Sequence, residues 1–184
     1  MDSLINSKGI TLVEILVVVG LVGIMIVMAT VSFDYVRGHQ LTSASRELMG
    51  DLQSIRQNAL TQGGGANSRG YGIRFAGPTS YVTFEFVETG AANFVYDDAT
   101  EESNIRTKTL SGSITVANSV NGDPTGETLI YDRRGIPRTT AWVTAPQTIY
   151  VLSLPTNVAT PRCVLMDQVR IREGKWDGAN CVVS

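Results

Sequence analysis

One carboxylate stands at the head of a long uncharged run. Glu14 directly precedes the residues from Ile15 to Phe33, none of which is charged. Placing a carboxylate near the head of an apolar membrane helix costs about 2–3 kcal/mol, so this position needs compensation. The side chain can lie at the level of the lipid headgroups, or it can pair with a positive charge from another subunit. A free amine at Ile10, made by cutting the chain after Gly9, would supply that charge.

The two cysteines, Cys163 and Cys181, lie close together late in the sequence. If this region faces the periplasm or the cell exterior, we expect a disulfide between them; the alternative is two separate thiols. Their spacing excludes a C-x-x-C redox motif, and His39 is the one histidine, which is too few for the usual zinc sites. We therefore expect no metal and no other cofactor.

A third set of residues that could bind a ligand is basic. Arg170, Arg172 and Lys175 lie between the two cysteines. On a strand, Arg170 and Arg172 would point to the same face, and clustered cations bind phosphates without reading bases. DNA binding is one interpretation of this segment, and a solvated strand face with local ion pairs is the other. The formal net charge of −2 gives no general indication of nucleic-acid binding.

Two interpretations are also open for an acidic cluster, which consists of Asp97, Asp98, Glu101 and Glu102. Calcium needs roughly six to eight oxygen ligands in a compact loop, whereas a solvated loop, or a rim that contacts a neighbouring subunit, needs no such arrangement. Catalysis has no support, because the sequence shows no nucleophile–base set and no glycine-rich loop that opens a helix. We expect that the protein is not an enzyme.

A long helix must position the N-terminal groups. The uncharged run is about as long as the roughly 20 residues of a membrane span. Beyond it, apolar residues recur at three- and four-residue steps, which indicates one face of an amphipathic helix, and Gly63, Gly64 and Gly65 supply a stop. The pattern predicts a helix from about Ile10 to Gln62. Its apolar face consists of Leu41, Ala44, Leu48, Leu52, Ile55 and Ala59.

After the glycines, short alternating runs predict a mostly antiparallel β-sheet head packed on the helix. Turn signals at Gly77-Pro78, at Asn121 to Pro124 and at Arg134-Gly135 separate the runs. The fold class is therefore α+β, and 43% hydrophobic residues supply a core. The predicted strands are Tyr71–Phe75, Tyr81–Val87, Asn93–Tyr96, Ser113–Val116, Thr128–Tyr131, Thr148–Leu154, Arg162–Met166 and Gln168–Arg172.

The segment Gly9-Ile10-Thr11-Leu12-Val13-Glu14 resembles the processing motif of type IV prepilins and of the pseudopilins of type II secretion. In that family a membrane aspartyl peptidase, the prepilin peptidase, cuts after the glycine and methylates the new N-terminal residue. The resemblance implies cleavage between Gly9 and Ile10, N-methylation of Ile10, and a role in assembly for Glu14. The usual first mature residue in the family is phenylalanine, so Ile10 is a departure from the pattern.

Three later segments of the chain are Arg46 to Ala59, Leu129 to Gly135, and Arg162 to Cys181. Together they are similar to the GspH/FimT branch of minor pilins and pseudopilins. The similarity implies a structural subunit of a type II secretion pseudopilus or a type IV pilus. Some FimT-like proteins bind DNA through a C-terminal Gly-Arg-x-Arg segment, and here the comparable stretch begins with Val169 instead of glycine. A plain membrane-anchored periplasmic domain is a further alternative.

Pattern and resemblance together divide the chain into four segments. We expect residues 1–9 to be a cleaved cytoplasmic leader, residues 10–33 a transmembrane and filament-core helix, residues 34–62 its amphipathic extension, and residues 63–184 a periplasmic head. The expected location is the inner membrane, crossed once, with assembly into a pilus or pseudopilus. The implied partners are other subunits, the prepilin peptidase, the inner-membrane assembly platform and the lipid bilayer.

Overall fold

A computed structural model of the protein describes residues 11–62, 68–89, 95–155 and 159–183, and within the helix it leaves out the side chains of residues 28–35. The chain divides into two compact units, Met1–Arg37 and Gly38–Ser184. The fold class is α+β, as predicted, with helical residues followed by two antiparallel sheets. The predicted stop at Gly63, Gly64 and Gly65 lies outside the described residues.

Helix α1 is assigned over Leu12–Gln62. It begins at a threonine cap, because the backbone N–H of Glu14 donates to the carbonyl oxygen of Thr11 at 3.0 Å and to its hydroxyl at 3.3 Å. The described side chains of α1 fall into two stretches, residues 12–27 and 36–62. In the part of the chain with described side chains, no helix is both long enough and apolar enough to cross a membrane.

Ten strands form two five-stranded antiparallel sheets in the second unit. Sheet A has the order β3-β2-β1-β5-β6, and sheet B has the order β10-β9-β8-β7-β4. A short 3-10 turn, Ala99–Glu101, precedes β3. The strands are β1 Ser68–Gly77, β2 Ser80–Val87, β3 Glu102–Thr109, β4 Thr115–Asn118, β5 Thr128–Asp132, β6 Pro137–Arg138, β7 Thr148–Ser153, β8 Arg162–Met166, β9 Ile171–Trp176 and β10 Cys181–Val183.

The core joins α1 to both sheets. All six residues of the predicted apolar face are buried, which confirms that prediction. They share one cluster with Phe75 and Tyr131 of sheet A and with Tyr150 and Met166 of sheet B. Residues that alternate with these along sheet A, such as Ile130, form a second cluster on its other face. The second unit therefore has a helical segment packed against strands of both sheets.

The strand predictions are confirmed at β1, β2, β5, β7 and β8, and β4 lies two residues later than expected. The strand predicted at Gln168–Arg172 starts three residues too early and ends too early. The backbone N–H of Asp167 donates to the carbonyl oxygen of Arg170 at 2.9 Å, which closes a turn, and β9 starts at Ile171. Of the predicted strand Asn93–Tyr96, two residues lie outside the described part and the other two are not in a strand. The sequence patterns missed β3, β6 and β10.

Candidate functional site

The first candidate site is the N-terminal part of α1. Gly9 and Ile10, the predicted cleavage and methylation residues, lie outside the described residues. Glu14 is exposed in the first turn of the helix. Every described side chain from residue 12 to residue 27 is also exposed, and Leu12 is 80% exposed. Glu14 is the one charged residue in this stretch.

Such a surface is unusual for a protein alone in water. Burying one valine, leucine or isoleucine side chain contributes about 1.5–3 kcal/mol, and monomeric soluble proteins rarely leave a large contiguous apolar area exposed. The stretch from Leu12 to Val27 is therefore suited to cover by lipid or by other helices. Among the described residues, no lysine, arginine or histidine nitrogen lies within 4.0 Å of the Glu14 carboxylate.

The predicted disulfide is present and lies in sheet B. Cys163 of β8 and Cys181 of β10 are bonded, with their Cα atoms 5.8 Å apart. The bond joins two strands that are not neighbours, because β9 lies between them and pairs with β8 on one side and with β10 on the other. Cys163 is fully buried. The disulfide therefore attaches the three-residue edge strand β10 to the interior of the sheet.

A second candidate site is a cleft between α1 and the turn that joins β8 to β9. We call it the basic groove and define it by Arg56 and Leu60 of α1 together with Val169, Arg170 and Arg172. Its volume is about 360 Å³. Arg56 fixes the helix to the turn, because its Nη1 donates to the carbonyl oxygen of Val169. The same guanidinium donates from Nε to the carbonyl oxygen of Gly135 at 3.0 Å.

The basic groove contains two of the three predicted basic residues. Arg170 is exposed in the turn and Arg172 is half-buried in β9, so the prediction that they share one strand face is wrong. Lys175 lies further along β9 and does not line the groove. The helical pattern of the sequence does not indicate the role of Arg56, because its partners lie 79 and 113 residues away.

His39 is exposed on α1. In the described stretches, no group of three or more His, Cys, Asp and Glu side chains could hold a metal ion. No family model, curated protein or solved structure matches this chain.

The acidic cluster is used largely for internal contacts. Asp98 caps the 3-10 turn and accepts hydrogen bonds from the Thr100 hydroxyl and backbone N–H, which together lower the pKa of its carboxyl. Glu101 is buried and accepts from the backbone N–H of Asp97 at 2.9 Å. The expectation of a solvated loop is therefore wrong for Glu101 and for Glu102, since both carboxylates are buried in the fold.

Glu102 forms an ion pair with one side chain and a hydrogen bond with another. Its carboxylate accepts from Arg74 Nε at 2.6 Å and Nη2 at 3.0 Å, and from the Tyr96 hydroxyl at 2.6 Å. Burial alone would raise the pKa of Glu102, but the hydrogen bonds from Arg74 and Tyr96 and the charge of Arg74 lower it below its ordinary value. The group is thus held ionised as part of the outer face of sheet A.

Proposed function

We propose that this chain is a minor pseudopilin or minor pilin of the GspH/FimT type, a structural subunit of a type II secretion pseudopilus or a type IV pilus. The observation that carries the proposal is Glu14, the one charged side chain in an exposed apolar helix that follows Gly9-Ile10. Apolar surface of this extent needs cover from lipid or from other helices. The α+β fold suits such a subunit.

The proposed subunit starts in the inner membrane. Residues 10–33 lie in the bilayer, the leader stays in the cytoplasm and the head faces the periplasm. The uncharged run from Ile15 to Phe33 supports this, because it approaches the roughly 20 residues of a membrane span. The prepilin peptidase cuts after Gly9 and methylates Ile10. With the assembly platform, the helix then moves from lipid to contacts with the helices of neighbouring subunits and becomes part of the filament spine.

Glu14 gives this assembly its electrostatic specificity. An unpaired carboxylate is unfavourable among apolar side chains. The amine of Ile10, freed by cleavage in a neighbouring subunit, is a positive charge that can pair with it. The pair forms at one axial register of the two helices and not at others. Apolar contacts between helices then contribute affinity, and the Glu14 contact selects the register.

The first experiment measures the intact mass and the N-terminal peptide mass of the protein from membranes, with and without the prepilin peptidase. We expect a chain that begins at Ile10 and carries one methyl group when the peptidase is present. A chain that still begins at Met1 under that condition would rule out the proposal and favour a plain membrane-anchored periplasmic domain.

A second experiment separates insertion from assembly. We expect Glu14→Gln to leave the membrane-bound amount unchanged and to reduce the fraction recovered in sheared filaments. Glu47→Gln is a matched control, since it removes one carboxylate from the same helix, where an exposed ion pair with Lys108 contributes little. Equal filament incorporation of Glu14→Gln and Glu47→Gln would contradict the pairing mechanism.

DNA binding, the other function considered for this chain, has less support. It relied on a row of cations along one strand face, but Arg170 lies in a turn and Lys175 lies outside the basic groove. Two further arginines of this unit, Arg138 and Arg162, have carboxylate neighbours in Asp132 and Glu173. The described cations of this region therefore do not form the extended row that would follow a phosphate backbone.

A further inference from the structure

The basic groove contains arginines whose charge is not balanced by a carboxylate among the described residues. Five of the other arginines of the second unit have carboxylate neighbours: Arg69, Arg74 and Arg138 each have one, and Arg46 and Arg162 share Glu173. Within the described residues, no carboxylate oxygen lies within 4.0 Å of a side-chain nitrogen of Arg56, Arg170 or Arg172. The two carbonyl oxygens that Arg56 contacts satisfy its donors but do not neutralise its charge.

One donor of an arginine that lines the groove lacks an acceptor. The Nε atom of Arg172 is buried and has no hydrogen-bond partner among the described residues. Buried N–H groups are nearly always hydrogen-bonded, so an isolated one indicates a missing acceptor. Because the donor belongs to a guanidinium group, the acceptor that matches it best is an anionic oxygen, and carboxylates match the planar fork of arginine.

The groove also presents aliphatic surface. Leu60 and Val169 line it and are 49% and 66% exposed. None of its described lining residues is aromatic, and single-stranded nucleic acid is usually held by aromatic side chains that stack on bases. A ligand that matches both features carries carboxylates next to aliphatic side chains. An acidic protein segment has this combination, whereas a phosphate backbone has only the charge.

We propose that the basic groove is a docking site for an acidic peptide segment of another protein, in which Glu or Asp residues alternate with aliphatic residues. The carboxylates pair with Arg170 and Arg172, and an aliphatic side chain packs on Leu60 and Val169. Arg56 has a different part, because it holds the turn against α1 and so gives the groove its shape. The site lies in the second unit and does not depend on the N-terminal processing proposed above.

The test uses the full chain in detergent and a short fluorescein-labelled peptide of alternating leucine and glutamate, with fluorescence anisotropy at low salt. We expect saturable binding that weakens roughly tenfold or more in the Arg170→Ala plus Arg172→Ala variant. Arg37→Ala plus Arg106→Ala is the matched control, since it removes two exposed charges outside the groove. A peptide with glutamine in place of glutamate should bind much more weakly.

Three outcomes would overturn the proposal. The groove variant and the control can bind the acidic peptide equally, or the glutamine peptide can bind as well as the glutamate peptide. The third is binding of single-stranded DNA that is salt-sensitive and lost in the groove variant, with no binding of the acidic peptide. If the double variant does not fold, Arg170→Glu replaces it, because Arg170 is exposed in a turn. N-terminal mass is measured on the same samples, so failed processing and failed docking are distinguishable.

Discussion

Reduction of the Cys163–Cys181 disulfide measures how much of the second unit's stability depends on the attachment of β10. The bond joins residues separated by 18 positions. Closing a loop of that length in the unfolded chain corresponds to about 3 kcal/mol of chain entropy. β10 has three residues and pairs with β9 alone among the described strands, so it has little other support. We expect reduction to lower the free energy of unfolding by about 3 kcal/mol.

The assay is a urea titration of the full chain in detergent, followed by tryptophan fluorescence. The chain has two tryptophans, and Trp176 is paired with Cys181 across β9 and β10. A Trp142→Phe background therefore leaves one reporter beside the disulfide. With a urea dependence of about 2 kcal/mol per molar, a loss of 3 kcal/mol corresponds to a midpoint about 1.5 M lower.

The control separates the disulfide from other effects of the reductant. In a Cys163→Ala plus Cys181→Ala variant, the reductant should change nothing, and the midpoint should lie near or below that of the reduced protein, because Cys163 is fully buried and its truncation leaves a small cavity. A reduced protein that unfolds within about 0.3 M urea of the oxidised protein would refute the loop-entropy argument.

Three further substitutions test the helix and the polar contacts of the head. Gly50→Ala should raise the free energy of unfolding by about 0.5–1 kcal/mol, because Gly50 lies in α1 and a Cβ there would meet no atom within 4 Å; an unchanged or lower urea midpoint would contradict this. Asp132→Ala should lower it by about 2–3 kcal/mol, because the carboxylate accepts from Arg138 at 2.8 and 2.9 Å and its loss leaves a half-buried guanidinium unpaired; urea titration at neutral pH measures the change. The lowered pKa of Glu102 means that ionisation of this group favours the folded state. Its contribution is present above the unfolded-state pKa of about 4.5 and is lost as pH falls through the lower folded-state pKa. The stability difference between wild type and Glu102→Gln, followed by urea titration across this range, should therefore be constant near neutral pH and shrink in acid; a difference that does not change with pH would contradict the assignment.

The helix face and the central strands are readable from the sequence because their burial follows a local period. Leu48 and Leu52 recur with the helical spacing that buries one face. In β2, polar residues alternate with buried ones around Thr83, as expected for a strand. In both cases a few neighbouring residues contain the whole signal.

Edge strands and long-range contacts are not encoded locally in this way. The residues of β3 are mostly exposed, and the strand depends on its pairing with β2 and not on an apolar pattern. β10 is three residues long. β9 was predicted too early because polar and apolar residues alternate from Gln168 to Arg172, whereas the backbone turns between Asp167 and Arg170. The basic groove was not predicted for the same reason, since the position of Arg56 in the helical pattern does not indicate its contacts with Gly135 and Val169.

The shared core of α1 and the two sheets has a consequence for biogenesis. Leu41 and Met166 are buried in one cluster although they lie at opposite ends of the second unit's sequence. A core of this kind cannot close while its parts are in different compartments. If the chain crosses the membrane as proposed, the boundary therefore lies before Leu41, and the unit folds only after β8 has crossed. Until then the apolar face of α1 is unprotected, so the period between the emergence of Leu41 and that of Met166 is when the chain has most need of a chaperone.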